Sequence, residues 1–478
     1  MIFNSIAFFC FFVLFYILYW FITNRNLKAQ NLLILFASYV FYAWSDWRFL
    51  SYLIGISALN YLLGIYIDKT SNPGHKRLLL YIGVLQGIGG LVFFKYFNFF
   101  ISSFNDAFHL MGINLELKLL KIIIPLGISF FTFRTISYLL DINKGKIRPS
   151  TDWLVFFTYV AFFPSLLSGP IDRANNLIPQ LERKRVWDSV QVVDGLNQIL
   201  WGFFKKVVIA DNCATYTSQI FHNYQSLPAS SLLLGAFLYT IQIYADFSGY
   251  TDMAIGIAHL IGLNITKNFN FPFFSQNIAE YWRKWHISLT SWLTEYIFTP
   301  LSISFRDYGT LGLIVAIIVN FTICGIWHGA NWTYVLFGFL HGCYFIPLIL
   351  RGTMNRKKKI GNNKHLPSFR EFGNMLGTFT LVMLTLVIFR SDTIGQAYHY
   401  LISLFSLSLF TVPALHLNPL LFIFVMFLVE WLQRDKEYGL QIADIKRPAF
   451  KLMIYYSLLF TIMVWGNFGV KEFIYAQF

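Results

Sequence analysis

Charge is what this sequence has least of. Asp, Glu, Lys and Arg make up 13% of its 478 residues, about half the ~25% of a soluble domain. That shortage excludes a water-soluble enzyme and a nucleic-acid-binding domain. Cysteine is sparse too: Cys10, Cys213, Cys324 and Cys343 lie mostly in or near apolar runs, with neither metal spacing nor a disulfide framework. There is no GxSxG elbow, no HExxH pair and no phosphate-binding Gly-Lys loop. Neither a fixed-period repeat nor an inverted pair of broken helices is visible, which disfavours a transporter built from internal repeats.

What fills the chain instead is apolar. Hydrophobic residues reach 56%, with 53 Phe, 27 Tyr and 13 Trp, and the mean hydropathy is +0.56. The expected product is an all-α polytopic membrane protein, one integral-membrane domain over 1–478. The formal charge of +14 gathers in short loops between apolar runs, as where a cytoplasmic membrane face meets anionic lipid. Residues 5–22 lack a basic leader and a small-residue cleavage site, so they read as a retained first helix. Arg25 and Lys28 follow it, which places the N-terminus outside by the positive-inside rule.

Further spans read at 31–44, 48–67, 78–100, 190–210, 373–390, 414–432 and 451–467, within a total of about 11 to 13 membrane segments. The basic loop 351–365 reads as cytoplasmic, and 396–412 as lying flat or dipping into the membrane. Two segments break the pattern. In 119–140, Pro125 and Gly127 interrupt the run and Arg134 sits in its second half; 153–170 carries Pro164, Gly169 and Pro170. Both read as broken or re-entrant helices, tolerated where freed backbone groups face protein or a cavity. The phrase YADFSGYTDMAIGIA, within the long apolar pattern of 232–263, is too polar to face lipid throughout. It reads either as a loop joining two shorter helices or as a break lining a cavity.

The polar groups that carry chemistry cluster in 281–342. His328 stands in GIWHGANW among Gly325, Gly329 and Ala330, whose small side chains admit a close approach. An imidazole there can take a proton from a hydroxyl and return it, or it can simply bond across a helix interface. His286 follows WRKW and is either an interfacial residue or one that meets His328 through the fold. His341 comes 13 residues after His328, a poor alignment on one helix, so Gly329 can begin a new element and His341 suits packing or a cavity. No metal site is expected. Asp246 and Asp252 suit orienting a histidine, binding a polar ligand or capping helices. Trp285, Trp327 and Asn331 are candidate cavity or substrate contacts.

The phrases EYWRKWHISLTSWL and GIWHGANWTYVLFGFLHG together resemble the membrane-bound O-acyltransferase family. PLGISFFTFRTISYLLD, SLLSGPIDR, YADFSGYTDMAIGIA, NFNFPFF, VIFRSD and FIYAQF extend the likeness to its bacterial alginate O-acetylation branch. The resemblance implies a ring of transmembrane helices around a central tunnel, with His328 as principal catalytic residue, His286 as a second active-site residue and His341 less securely assigned. It also implies an acetyl donor, acetyl-CoA, with no bound cofactor. The expected partners are an extracytoplasmic or membrane-anchored hydrolase-fold acetyltransferase, an exported polysaccharide and membrane lipids. The implied location is the bacterial inner membrane. Peptidoglycan O-acetylation and D-alanyl transfer to a teichoic-acid-like polymer are the enzymatic alternatives; a lipid or polysaccharide transporter is the other. After YIFTPL, the expected Gly- and Arg-rich turn is replaced by SISFRDYG, which leaves the acceptor class open.

Overall fold

In the computed structural model, residues 1–114, 116–356, 366–413 and 419–469 are described. Every regular element among them is a helix. FIYAQF, most of the basic loop 351–365 and the first residues of the 414–432 span lie outside the described residues. Six helical stretches are long and apolar enough to cross a bilayer: Leu27–Lys69, Pro73–Leu110, Arg306–His328, Trp332–Leu350, Phe369–Arg390 and Pro448–Trp465. Ile6–Ile22 and Pro419–Leu432 are apolar but shorter. The chain is a multi-pass membrane protein. The spans expected at 31–44 and 48–67 are the two 20-residue helices Leu27–Asp46 and Leu50–Lys69, joined by the short turn Trp47–Phe49. The segments 153–170 and 232–263, also read as membrane elements, are not among the six; their residues are mostly buried in protein.

The described residues group into two compact units, 1–196 with 254–266, and 197–253 with 267–478. In the first, the break at Pro125 and Gly127 is real but differently built. The helix starts only at Ile128 and runs to Asn143. Residues 116–125 are not helical, contrary to the expected interrupted helix. Two asparagines explain why an extended segment is stable there. Asn98 bonds both the N–H and the carbonyl of Leu120, at 3.0 and 2.8 Å, and Asn105 does the same for Leu117, at 3.1 and 3.0 Å. Each carboxamide supplies the donor and acceptor that a neighbouring strand would have supplied.

Gly127 turns the chain into the helix at φ +71°, and a Cβ there would lie 2.5 Å from the Leu166 carbonyl oxygen. Only glycine fits both demands. The 153–170 segment is broken as expected, into the helices Trp153–Ala161 and Phe163–Leu166. Arg134, fully buried, reaches across to it. Its guanidinium donates to the carbonyls of Tyr159, Val160, Ser165 and Pro170 at 2.8–3.4 Å and to Ser165 Oγ at 2.6 Å. The charge read from sequence as an anomaly is thus the group that satisfies backbone left open by the break.

The polar phrase of 232–263 is neither a loop nor a break. Ala229–Leu260 is one helix of 32 residues. Its aspartates are neutralised in place. Lys206 Nζ lies 2.7 Å from Asp246 and 2.9 Å from Asp211; Lys205 Nζ lies 2.6 Å from Asp252 and 2.5 Å from Ser248 Oγ. Gln198 donates to the other oxygen of Asp252 at 3.0 Å. With charge and hydrogen bonds supplied by protein, the helix needs no water-filled interruption.

Gly309–His328 and Trp332–Cys343 form a tight helical hairpin. The second helix does begin afresh after Gly329, with Asn331 accepting from Thr333 N at 3.0 Å as its cap. The helices touch backbone to backbone. A Cβ on Gly325 would come within 3.0 Å of Gly338 Cα, and one on Gly342 within 2.7 Å of Ile318 Cα. Gly338 and Gly342 are four apart in GFLHG, the small-residue spacing that brings membrane helices together.

Candidate active site

The hairpin ends on His328, the last residue of its first helix. One side chain before it, Trp327 projects an indole whose ring centre lies 4.9 Å from His328 and 5.7 Å from His286. Phe337, on the second helix, lies 6.2 Å from His328 and 4.5 Å from His341. Two aromatic rings therefore link the three histidines that sequence singled out, across 42 and 13 residues of separation. All three are buried, with exposures of 0% for His286, 4% for His328 and 0% for His341.

His286 is held in a strained backbone. Its φ is +43°, where side-chain-bearing residues rarely sit, at a cost of about 1–2 kcal/mol. Asn268 holds the turn from the far side: its carbonyl accepts from Ile287 N at 2.8 Å and its side-chain oxygen from Ser288 Oγ at 2.5 Å. Asn270 N bonds the Lys284 carbonyl at 3.0 Å, so this loop is tied on both sides of the histidine. The Phe247 ring, 4.7 Å away, walls the imidazole against the long helix. Strain that the surroundings enforce at a buried histidine makes His286 a candidate functional position.

His341 has a defined tautomer. Trp282 Nε1–H donates to its Nδ1 at 3.2 Å, so in the neutral ring the proton sits on Nε2. That nitrogen is buried with no hydrogen-bond partner among the described residues. His328 opens onto a small cavity of about 10 Å³, lined by Ile243, Tyr281, Trp285, Phe337, Val382, Leu386 and Phe389. It has room for about one water molecule. A larger reactant entering by this cavity has to displace the side chains that line it.

The remaining candidates divide. Trp285 lines the His328 cavity and stacks on Tyr281 at 5.4 Å. Trp327 is the link between two histidines. Asn331 caps its helix and donates Nδ2 to the Asp392 carbonyl at 2.8 Å. Asp246 and Asp252 face Lys206 and Lys205. Sequence reading missed Glu430, whose two oxygens accept from Tyr244 Oη at 2.8 and 2.9 Å. Tyr244 in turn packs at 6.1 Å from Trp285, so its hydrogen bonds to Glu430 brace one wall of the site. A lone glutamate in PLLFIFVMFLVEWL was the available signal, since ionisable groups in apolar helices are seldom idle. Among the described residues no three His, Cys, Asp or Glu side chains converge as a metal set.

The model of the membrane-bound O-acyltransferase family matches residues 146–387, which include all three histidines. The chain is 36% identical to Probable alginate O-acetylase AlgI of Pseudomonas syringae pv. tomato, over 77% of this chain and 69% of that one. It is 35% identical to the protein of the same name from Azotobacter vinelandii, over 87% and 80%. To a Peptidoglycan O-acetyltransferase of Helicobacter pylori it is 33% identical, over 78% and 73%. The names of these relatives describe O-acetylation of alginate and of peptidoglycan. An O-acyltransferase that buries two imidazoles against one indole, this chain belongs to the membrane-bound O-acyltransferase family.

Proposed function

We propose that this protein transfers acetyl from cytoplasmic acetyl-CoA toward hydroxyls of an exported polysaccharide, through a hydrolase-fold partner on the far side of the inner membrane. The observation that carries the reading is the contact of His286 and His328 with the same Trp327 ring, inside a buried apolar site. His328 takes the proton of the attacking hydroxyl while its oxygen forms the new bond to the acetyl carbonyl carbon. The carbon–sulfur bond breaks, and the imidazolium returns the proton to the departing thiolate. Acetyl ester and free thiol result, and His328 is restored. His286, fixed by its strained turn, orients the reactants and shares the proton work. Excluding water from such a site also protects the thioester from hydrolysis.

The alginate O-acetylase relatives favour a polysaccharide acceptor. The Helicobacter pylori relative makes peptidoglycan the second acceptor to test. Purified chain is combined with labelled acetyl-CoA, the protein encoded beside it, and each polymer in turn. Label is expected on the polysaccharide, with His328→Ala reducing transfer by about 10²–10⁴-fold while the variant still assembles in the membrane. Unchanged transfer by a well-assembled His328→Ala protein overturns the assignment. Label accumulating on peptidoglycan instead moves the acceptor.

A further inference from the structure

Far along the chain from the histidines, the first unit contains a second built recess. A cleft of about 560 Å³ lies where the end of the first apolar helix meets the segment 184–187. Its walls are the rings of Tyr16, Trp20 and Trp187, and its cations are Arg25, Lys184 and Arg185. The walls are pinned. Trp20 Nε1 donates to the Leu260 carbonyl at 2.9 Å, and Trp187 Nε1 to Tyr16 Oη at 3.2 Å.

Arg185 is the telling residue. It is 5% exposed, and its guanidinium lies over the Tyr19 ring at 5.8 Å. Nε donates to Tyr19 Oη at 2.9 Å, and Nη1 to the Leu181 carbonyl at 3.2 Å. Tyr19 is itself fixed, donating to the Ile261 carbonyl at 2.9 Å. Nη2 is buried and has no hydrogen-bond partner among the described residues. No described carboxylate pairs with Arg185, and the nearby Asp188 already accepts from Val190 N at 2.9 Å. A buried guanidinium with an open donor and no counter-ion is costly unless an anion completes it.

We propose that this cleft binds the phosphate headgroup of an anionic phospholipid. Three cations and a fork of N–H donors suit a phosphodiester. The surroundings select a lipid over a soluble phosphate. Leu14, Ile17 and Phe21 are exposed along one side of the helix that forms the cleft, and Val186 and Val190 are exposed beside it. An acyl chain can lie along these apolar side chains while the headgroup enters the recess, and tryptophans at its walls belong at that depth. The site stands apart from the acetyl-transfer reading and does not depend on it.

The test uses the full chain in a neutral detergent, with native mass spectrometry counting retained lipid. Dioleoyl phosphatidylglycerol is compared with dioleoyl phosphatidylcholine, and free coenzyme A is the competitor. One phosphatidylglycerol is expected to stay bound where phosphatidylcholine is lost. Arg185→Gln is expected to lower its affinity by about ten- to a hundredfold. Should Arg185→Gln fail to assemble, the double variant Arg25→Gln, Lys184→Gln decides, because both side chains are exposed. Each of these charges is expected to contribute about fivefold. Equal retention of the two lipids, or phosphatidylglycerol binding unchanged in the charge variants, overturns the proposal. Displacement of phosphatidylglycerol by coenzyme A overturns it too, in favour of a soluble phosphate ligand.

Discussion

Gly325→Ala is expected to impair transfer far more than assembly. Gly325 sits one turn before His328, where the hairpin helices meet. The added methyl would lie 3.0 Å from Gly338 Cα and closer still to the Tyr334 carbonyl oxygen. Non-bonded carbons settle near ~3.6 Å, so the helices must part by at least about 0.6 Å, and by about 1 Å to clear the carbonyl. Overpacking of this kind costs about 1–3 kcal/mol, and replacing glycine inside a helix returns about 1 kcal/mol. The net loss is about 0–2 kcal/mol, so the variant should assemble with a melting temperature lowered by a few degrees. The active site is less forgiving, since a misplacement of about 1 Å can cost about 100-fold in rate. Acetyl transfer and thermal unfolding are measured on the same preparations. Gly377→Ala is the control, because nothing lies within 4 Å of a Cβ there; it should keep full transfer and an equal or higher melting temperature. Wild-type transfer by Gly325→Ala at an unchanged melting temperature would refute the idea that close hairpin contact positions His328.

Three further outcomes are expected. His286→Gly and His286→Ala should both lose transfer, yet the glycine variant should be the more stable by about 1 kcal/mol, because φ +43° suits glycine; equal melting temperatures would show that the turn relaxes without strain. Arg134→Met should destabilise strongly, by about 3–5 kcal/mol, since carbonyls from 159 to 170 lose their donor; thermal unfolding in detergent checks it. Asn98→Ala should free the segment around Leu120 while leaving the histidine sites in the other unit unchanged. Faster proteolysis or amide exchange at 116–125 with transfer intact is the expected pattern, and protection equal to wild type would count against the asparagine clamp.

The helical, multi-pass character was legible because it rests on composition, which needs no geometry. So was the stretch whose histidines the fold brings together: imidazoles beside apolar runs are conspicuous, and Gly329 correctly announced a new helix before His341. What sequence could not supply was who neutralises whom. Asp246 and Asp252 suggested an interrupted helix because their lysines lie some 40 residues earlier in the chain, at Lys205 and Lys206. Arg134 looked misplaced for the same reason, since its partners are carbonyls from 159 to 170. The extended path before Pro125 was hidden by its apolar residues, which resemble a helix in composition while two asparagines on the preceding helix hold it open. Pairings over long separations are set by tertiary structure, and periodicity carries no trace of them.

The lysine–aspartate pairs also bear on how the protein is made. An aspartate at the middle of a helix disfavours insertion by about 2.5–3.5 kcal/mol, and Ala229–Leu260 carries two. Such a helix has little reason to leave the translocation machinery for lipid by itself. The lysines emerge first in chain order, and each segment compensates the other. The two should therefore enter the bilayer as a joined hairpin, and in a nascent chain halted between them Lys205 and Lys206 should stay open to water-borne amine reagents while the earlier spans hold the chain in the membrane.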